Sequence, residues 1–265
     1  MSRRKLAREL GISRSALYYQ PVLPTKNWLL KCEIEKVLRE HPSYGYRRVA
    51  LHLQINKKRT QRVMKLFGMK AFRRRGRKPK KKADSITQPY DNLLLTTYPA
   101  YPGHTWVSDF TYIPFQGKFV YLATVMDLFT RKIVGFSILT SRGSQLVIQA
   151  LLSAIHNHPR SVILHSDQGA EYASEPYLTL LQQLGIQISM SHKGCPWENG
   201  YQEAFYSQFK VDLGDPGRFN HLGELVYAIY KTIHTYNHTR IHSALKMPPV
   251  LFAQIHQLTN VEIVS

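Results

Sequence analysis

Hydrophobic and polar positions change their period along the chain, and the changes divide it. Between Arg4 and Tyr19, Leu6, Leu10, Ile12 and Leu17 fit two short helices around Gly11, with Ser13 as N-cap of the second. A further helical stretch, 31–69, carries three apolar stripes: Ile34, Val37 and Leu38; Tyr46, Val49, Ala50 and Leu53; Val63, Met64 and Phe67. Asn56 is placed to cap the last helix and Gly68 to end it. Both stretches have the outline of a helix-turn-helix, the first presenting Arg14 and Ser15 to a groove. From His104 onward the pattern turns to short β-branched and aromatic runs. These predict strands at 105–115, 119–128 and 133–140, joined by turns at 116–118 and 131–132 as an antiparallel meander. Next come a helix through Leu146, Leu151 and Ile155, a strand at 162–166, a helix at 175–184, a strand at 186–191 and a helix from about Pro196 to Asp212. The later crossovers are long enough for parallel pairing. The expected fold is therefore α/β, a mixed sheet with flanking helices behind a small all-α region.

Charge sharpens this division. The 265 residues hold 36 Lys or Arg against 17 Asp or Glu, a net of +19, with 43% hydrophobic and 11% aromatic residues. Such a chain can bury a core and points to a polyanionic partner. No run approaches the roughly 20 apolar residues of a membrane span, and Met1-Ser2-Arg3-Arg4-Lys5 leads into a charged segment, unlike a signal peptide. Residues 1–82 contain 25 Lys or Arg and four acids, a net of +21, so the remainder nets −2. Arg47 and Arg48 are paired in the loop 41–48, which reads either as a tight helix connection or as a DNA contact, whereas Lys57, Lys58, Arg59 and Arg62 on the third helix of the second stretch avoid the apolar stripe, as a helix against DNA requires. Between Lys70 and Lys82 nine of thirteen residues are basic, Arg74, Arg75 and Arg77 among them. This run reads as a self-repelling linker able to track phosphates, and 70–103 as linker and extended connection before the core at 104–212 and a helical extension at 213–265. Cys32 and Cys195 form no Cys-x-x-Cys pairing. Neither a disulfide framework nor a thiolate zinc site is expected, and a reducing cytosol is the default compartment.

In so basic a chain the few acids of the body attract attention. Asp109 lies within the first strand, where an ionised carboxylate needs a partner, a hydrogen-bond network or a metal. Asp167 stands where the fourth strand ends, the position at which open α/β sheets bind ligands. Glu203 shares a helix face with Asn199 and Lys210, whereas Glu198 points about 140° away. Carboxylates on neighbouring elements, without paired His or Cys, suit Mg²⁺ or Mn²⁺ and not zinc. Two such ions would serve in-line displacement at a phosphodiester. Asp127 either lines the same site or holds the turn near Arg131, and the second reading is preferred.

The motifs resemble those of the DDE-type insertion-sequence transposases of the retroviral integrase superfamily, specifically the larger product of two-reading-frame elements. Segment 41–69 is similar to the helix-turn-helix preceding their core, and Trp106-x-x-Asp109-Phe110-Thr111-Tyr112 to the motif holding the first catalytic Asp. His165-Ser166-Asp167-Gln168-Gly169-x-x-Tyr172 resembles the second motif, and Ser191 to Lys210 the third, with the family's 35 residues between Asp167 and Glu203. Tyr236-Asn237-x-x-Arg240-x-His242 and Pro248-Pro249 resemble the closing segment, although Glu198-Asn199-Gly200 stands where relatives often have Asp-Asn-Ala. The resemblance implies a ribonuclease H-like fold and Asp109, Asp167 and Glu203 as catalytic, metal-holding residues. It implies cleavage and strand transfer on the double-stranded DNA of element ends and target, by a homo-oligomer in the bacterial cytoplasm at the nucleoid. The product of an upstream frame is a further possible partner. Lys193, Lys210 and Asn199 are expected to contact DNA, and Arg240 and His242 to fold onto the core or touch DNA. A regulator that binds DNA without catalysis and a nuclease without joining are the rival readings.

Overall fold

The computed structural model describes residues 2–18, 22–72, 90–193 and 195–262. Arg74, Arg75 and Arg77 lie outside them. The chain divides into two units, Met1–Ala71 and Phe72–Ser265.

In the first unit, α1 (Arg3–Glu9) stops because Gly11 adopts φ 64°. The Gly11 and Ile12 N–H groups then turn back to the carbonyls of Arg8 and Ala7, satisfying acceptors at the helix end. Ser13 does cap the next segment, its Oγ accepting from the Ala16 N–H at 3.2 Å. That segment, however, is a 3₁₀ turn, Arg14–Tyr18, in place of the expected recognition helix. Pro21 disfavours helix at the residue before it, so the stretch after Ser13 is too short for α-helix. Arg14 therefore opens a 3₁₀ turn. Helices α2 (Val22–Glu40), α3 (Tyr46–His52) and α4 (Lys57–Leu66) then bury Ile34, Val37, Val49, Ala50, Val63 and Met64. Between α2 and α3, buried His41 stacks on buried Tyr44 with ring centroids 4.4 Å apart. Asn56 caps α4 by accepting from the Lys58 N–H at 2.8 Å, and the helix ends at Gly68 with φ 65°. Lys57, Lys58, Arg59, Arg62 and Lys65 are all exposed on α4, and Arg47 on α3, while Arg48 is partly covered with its guanidinium over the Tyr44 ring.

The second unit contains one five-stranded mixed sheet in the order β3-β2-β1-β4-β5. Strands β1 (Thr105–Phe115), β2 (Lys118–Asp127) and β3 (Ile133–Leu139) form the antiparallel meander. Its turns place Gln116, Gly117 and Arg131 at positive φ. Strands β4 (Ile163–Ser166) and β5 (Gln187–Met190) add in parallel, and β4 pairs with β1 only over Thr105–Val107. Side chains alternate across the sheet. Trp106, Ala123 and Val125 pack with α5 (Ser144–Asn157) and α6 (Glu175–Gln183) on one face. Val107, Leu122 and Met126 pack with α7 (Gly200–Leu213) and α8 (Leu222–His238) on the other. A last helix, α9, spans Pro249–Glu262. Residues from Asp91 belong to this unit and are not free connection. The Met190 N–H bonds to the Asp91 carbonyl, the Leu93 N–H to Ser189 Oγ at 2.9 Å, and Leu94 packs on the core. Among the described residues no helix is long and apolar enough to cross a membrane.

Gly135 on β3 lets α5 approach the sheet closely. A Cβ there would lie 2.6 Å from Ala154 Cβ and collide with the backbone of Ala150 and Ala154. Gly135→Ala is expected to destabilise the protein by about 1–3 kcal/mol, the usual cost of overpacking, as measured by urea unfolding.

Candidate active site

Three elements bring the acids together. Asp109 is carried by β1, which is held between β2 and the short β4. Asp167 comes directly after the last residue of β4, and its Oδ1 accepts from the Gly169 N–H at 2.9 Å, a turn that fixes the carboxylate at the strand end. Glu203 lies in the first turn of α7. That helix is fixed by two polar residues pressed onto the sheet. Fully buried Gln202 donates through Nε2 to the Val107 carbonyl at 2.8 Å and accepts from Thr124 Oγ1 at 3.1 Å. Tyr206 donates to the Asp109 carbonyl at 2.6 Å. Burial pushes the Tyr206 pKa well up, as does the neighbouring Asp109 charge, so its hydroxyl stays a neutral donor. Asp109, Asp167 and Glu203 consequently line one cleft of about 390 Å³, together with Lys193 and Asn199.

The electrostatics of the cleft are dominated by its buried acids. The Asp109 pKa rises from 3.8 to about 7 through burial, then through the Asp167 charge, with Glu203 adding to it. The Phe110 N–H, bonded to Asp109 Oδ1 at 2.8 Å, and the Lys210 ammonium oppose the rise. Asp167 is raised by burial and by Glu171 against its bond from Gly169. Among the described residues no three acidic, His or Cys side chains converge tightly enough to hold an ion as they stand. Two of the carboxylates turn an oxygen onto backbone N–H groups, which offsets part of the repulsion between them. The donor set is nonetheless three carboxylates around one cleft, and oxygen donors of this kind fit a hard divalent cation.

The other expected residues separate. Lys193 is exposed on the cleft wall. Asn199 is buried there, with no hydrogen-bond partner for its Oδ1. Lys210 places its ammonium 5.1 Å from the Tyr112 ring centroid, near enough to act on Asp109. Asp127 faces away from the acids: it pairs with Trp106 on the α5 face and accepts from the Thr130 N–H at 3.0 Å, holding the turn at Arg131. Arg240 folds onto the core, bonding Asp212 Oδ2 at 2.8 Å and Gln208 Oε1 at 2.7 Å.

Glu198 has a bracing role that its sequence position does not reveal. Burial would raise its pKa, but bonds from the His192 N–H, the His192 ring and Asn92 Nδ2 hold it low. This acid thereby ties the chain before β1 to the loop before α7. Gln168 Nε2 makes a similar tie to the Ser191 carbonyl at 3.1 Å. Gln202 and Tyr206, which dock α7, also escaped sequence reasoning. Their only signal is their spacing of four, which places both on the helix stripe that also carries Phe205 and Phe209.

A five-stranded mixed sheet of this order with flanking helices is a ribonuclease H-like fold. Family models described as "Integrase core domain" match residues 99–196 and 184–249. The chain is 37% identical over 229 residues to the transposase for insertion sequence element IS904 of Lactococcus lactis subsp. lactis, covering 82% of this chain and 90% of that one. It is 33% identical over 258 residues to the putative transposase InsK for insertion sequence element IS150 of Escherichia coli K12, covering 91% and 89%. A simian T-cell lymphotropic virus intasome solved in complex with PP2A regulatory subunit B56 gamma shares the fold. Its TM-score is 0.52 at 18% identity, over 79% of this chain and 70% of that one. The protein belongs to the insertion-sequence transposases, and its activity is DNA cleavage and strand transfer.

A carboxyl group whose pKa is raised on folding favours the native state only while protonated. In EDTA, the part of the stability that depends on Asp109 is therefore expected to fall as pH rises from about 4 to about 7, against the opposite contribution of buried His165, whose pKa burial lowers to about 4. The difference between wild type and Asp109→Asn isolates that part, and the substitution should stabilise the metal-free protein at pH 8 by on the order of 1–4 kcal/mol, read from denaturant midpoints across pH.

Proposed function

We propose that Asp109, Asp167 and Glu203 are the catalytic acids of this transposase and that the basic first 82 residues hold the element's DNA. The observation that carries the reading is the gathering of these three carboxylates, from β1, the end of β4 and α7, around one cleft. The three would hold two Mg²⁺ or Mn²⁺ ions. When bound, such ions polarise a scissile phosphate and ease deprotonation of the attacking hydroxyl. The chain's own residues orient and attract. Lys193 on the wall and Lys210 beside Asp109 supply positive charge for the strand's phosphates. Asn199 contributes a buried amide oxygen that a nucleotide or water donor can satisfy.

In the first step a water oxygen attacks phosphorus and the bond to the 3′ oxygen breaks, leaving a 3′-OH. In the second, that hydroxyl attacks another phosphodiester and the displaced strand leaves with its own 3′-OH. No bond from phosphorus to a protein side chain is needed. The exposed cations of α4, with Arg47 and Arg48, would bind the duplex backbone, and several copies of the chain would assemble on paired ends.

The reading is tested by metal-dependent nicking and joining of element-end DNA. Asp109→Asn, Asp167→Asn and Glu203→Gln should each reduce both reactions to background while leaving duplex affinity within about twofold of wild type. Retention of full activity by Asp167→Asn would overturn the assignment. Mg²⁺ should also raise the melting temperature of the wild type and not of Asp109→Asn, as binding to the native state alone requires. Replacing both Arg59 and Arg62 with Ala should lower the slope of log affinity against log salt by about 2 if each contacts one phosphate.

A further inference from the structure

A second cavity, of about 240 Å³, lies at the opposite end of the sheet from Asp167. Its wall combines Trp106 near the start of β1, Asp127 at the end of β2, Lys132 in the turn before β3, and His158 and Arg160 from the connection that leads into β4. Trp106 and Asp127 are register partners and face α5, whereas Asp109 faces α7. The cavity therefore shares neither residues nor sheet face with the acid cleft.

None of the ion pairs among the described residues includes Lys132 or Arg160. The partly buried Lys132 ammonium reaches only the His158 Nε2, at 3.4 Å, and burial pushes its pKa down while the Asp127 charge resists. His158 is itself held low by burial and by Lys132, so the ring is a neutral acceptor. Arg160 spends Nη1 on the Leu184 carbonyl at 2.6 Å. Asp127, the one acid in the wall, is consumed by its own turn: it accepts from the Gly103 N–H at 3.0 Å, the Thr130 N–H at 3.0 Å and the Thr130 hydroxyl. Finally, the buried Trp106 indole N–H has no acceptor among the described residues. Two cations, one satisfied carboxylate and one unspent donor leave the cavity with excess positive charge and a shortage of acceptors. Buried donors and ammonium groups of this kind call for a hydrogen-bonded anion. The volume is below that of ordinary small-molecule sites, which favours a single tetrahedral group over a larger ligand.

We infer that this cavity is a phosphate-binding site, in which Lys132 and Arg160 hold one phosphate group, supplied by a DNA backbone or free in solution, beside the Trp106 indole. The inference does not depend on the three catalytic acids.

The test uses the full chain with ¹⁵N-labelled tryptophan. Three tryptophans, Trp28, Trp106 and Trp197, give three indole resonances, two of which serve as controls. Inorganic phosphate should shift the Trp106 resonance saturably and leave the other two in place. Lys132→Met with Arg160→Met should weaken that response at least tenfold. Arg160→Gln alone, at an exposed position, should weaken it severalfold and serves where the double variant does not fold. A duplex that competes with phosphate for the Trp106 shift identifies DNA backbone as the ligand. A shift with phosphate alone identifies the free ion. A Trp106 resonance that neither ligand moves, or that moves equally in both variants, overturns the inference. Nicking by Asp167→Asn is read separately, so failure of either reading is visible without the other.

Discussion

The candidate active site depends on how one helix sits on one hairpin. α7 is set across β1 and β2 by buried polar groups as well as by apolar contact. Gln202 and Tyr206 reach the carbonyls of Val107 and Asp109 and the hydroxyl of Thr124. Hydrophobic packing tolerates sliding by fractions of a side chain, but buried hydrogen bonds do not, because a displaced donor loses its partner in a place water cannot reach. Phe205 and Phe209 supply the adhesion on the same helix, and the two polar residues supply the register. Glu203 inherits its place beside Asp109 from that register.

Against this rigid frame, the acids are gathered at the expense of the resting fold. Burial and the Asp167 and Glu203 charges raise the pKa of Asp109, burial and Glu171 raise that of Asp167, and backbone N–H groups and, at Asp109, the Lys210 charge counter this. A core built for stability alone would not gather carboxylates at the open end of a sheet. Placing them at the end of β4 and on adjacent elements leaves them around one cleft, where in the proposed reading a cation would relieve their repulsion.

Much of this was legible in the sequence because it is local. The β-branched and aromatic runs of β1 to β3 mark strands, Asn56 and Gly68 bracket α4, and Asp167 sits at a strand end that its own neighbours define. The three acids were found by combining such positions with the family spacing. The missed features are those that depend on long-range partners. Glu198 bonds Asn92 across 106 positions, and Gln202 meets Thr124 across 78, so neither role can be inferred from neighbours in sequence. Lys132 and Arg160 likewise look like ordinary turn cations until the sheet brings them to one cavity. The segment after Gly11 fails for a different reason: its apolar spacing suits a helix, but Pro21 leaves too little chain to build one.

The brevity of β4 has a consequence for assembly. Beyond Val107, no strand among the described residues pairs with β1 on that side, and alternation along the strand turns the Phe110 N–H toward the gap. Such an edge invites a further strand, from another molecule or from an unfolded segment of the same one. Here the Asp109 carboxylate occupies the Phe110 N–H itself and sets a charge at the edge. The carboxylate proposed for chemistry thus also covers a backbone donor of β1, and its removal would leave that N–H without the acceptor it has here.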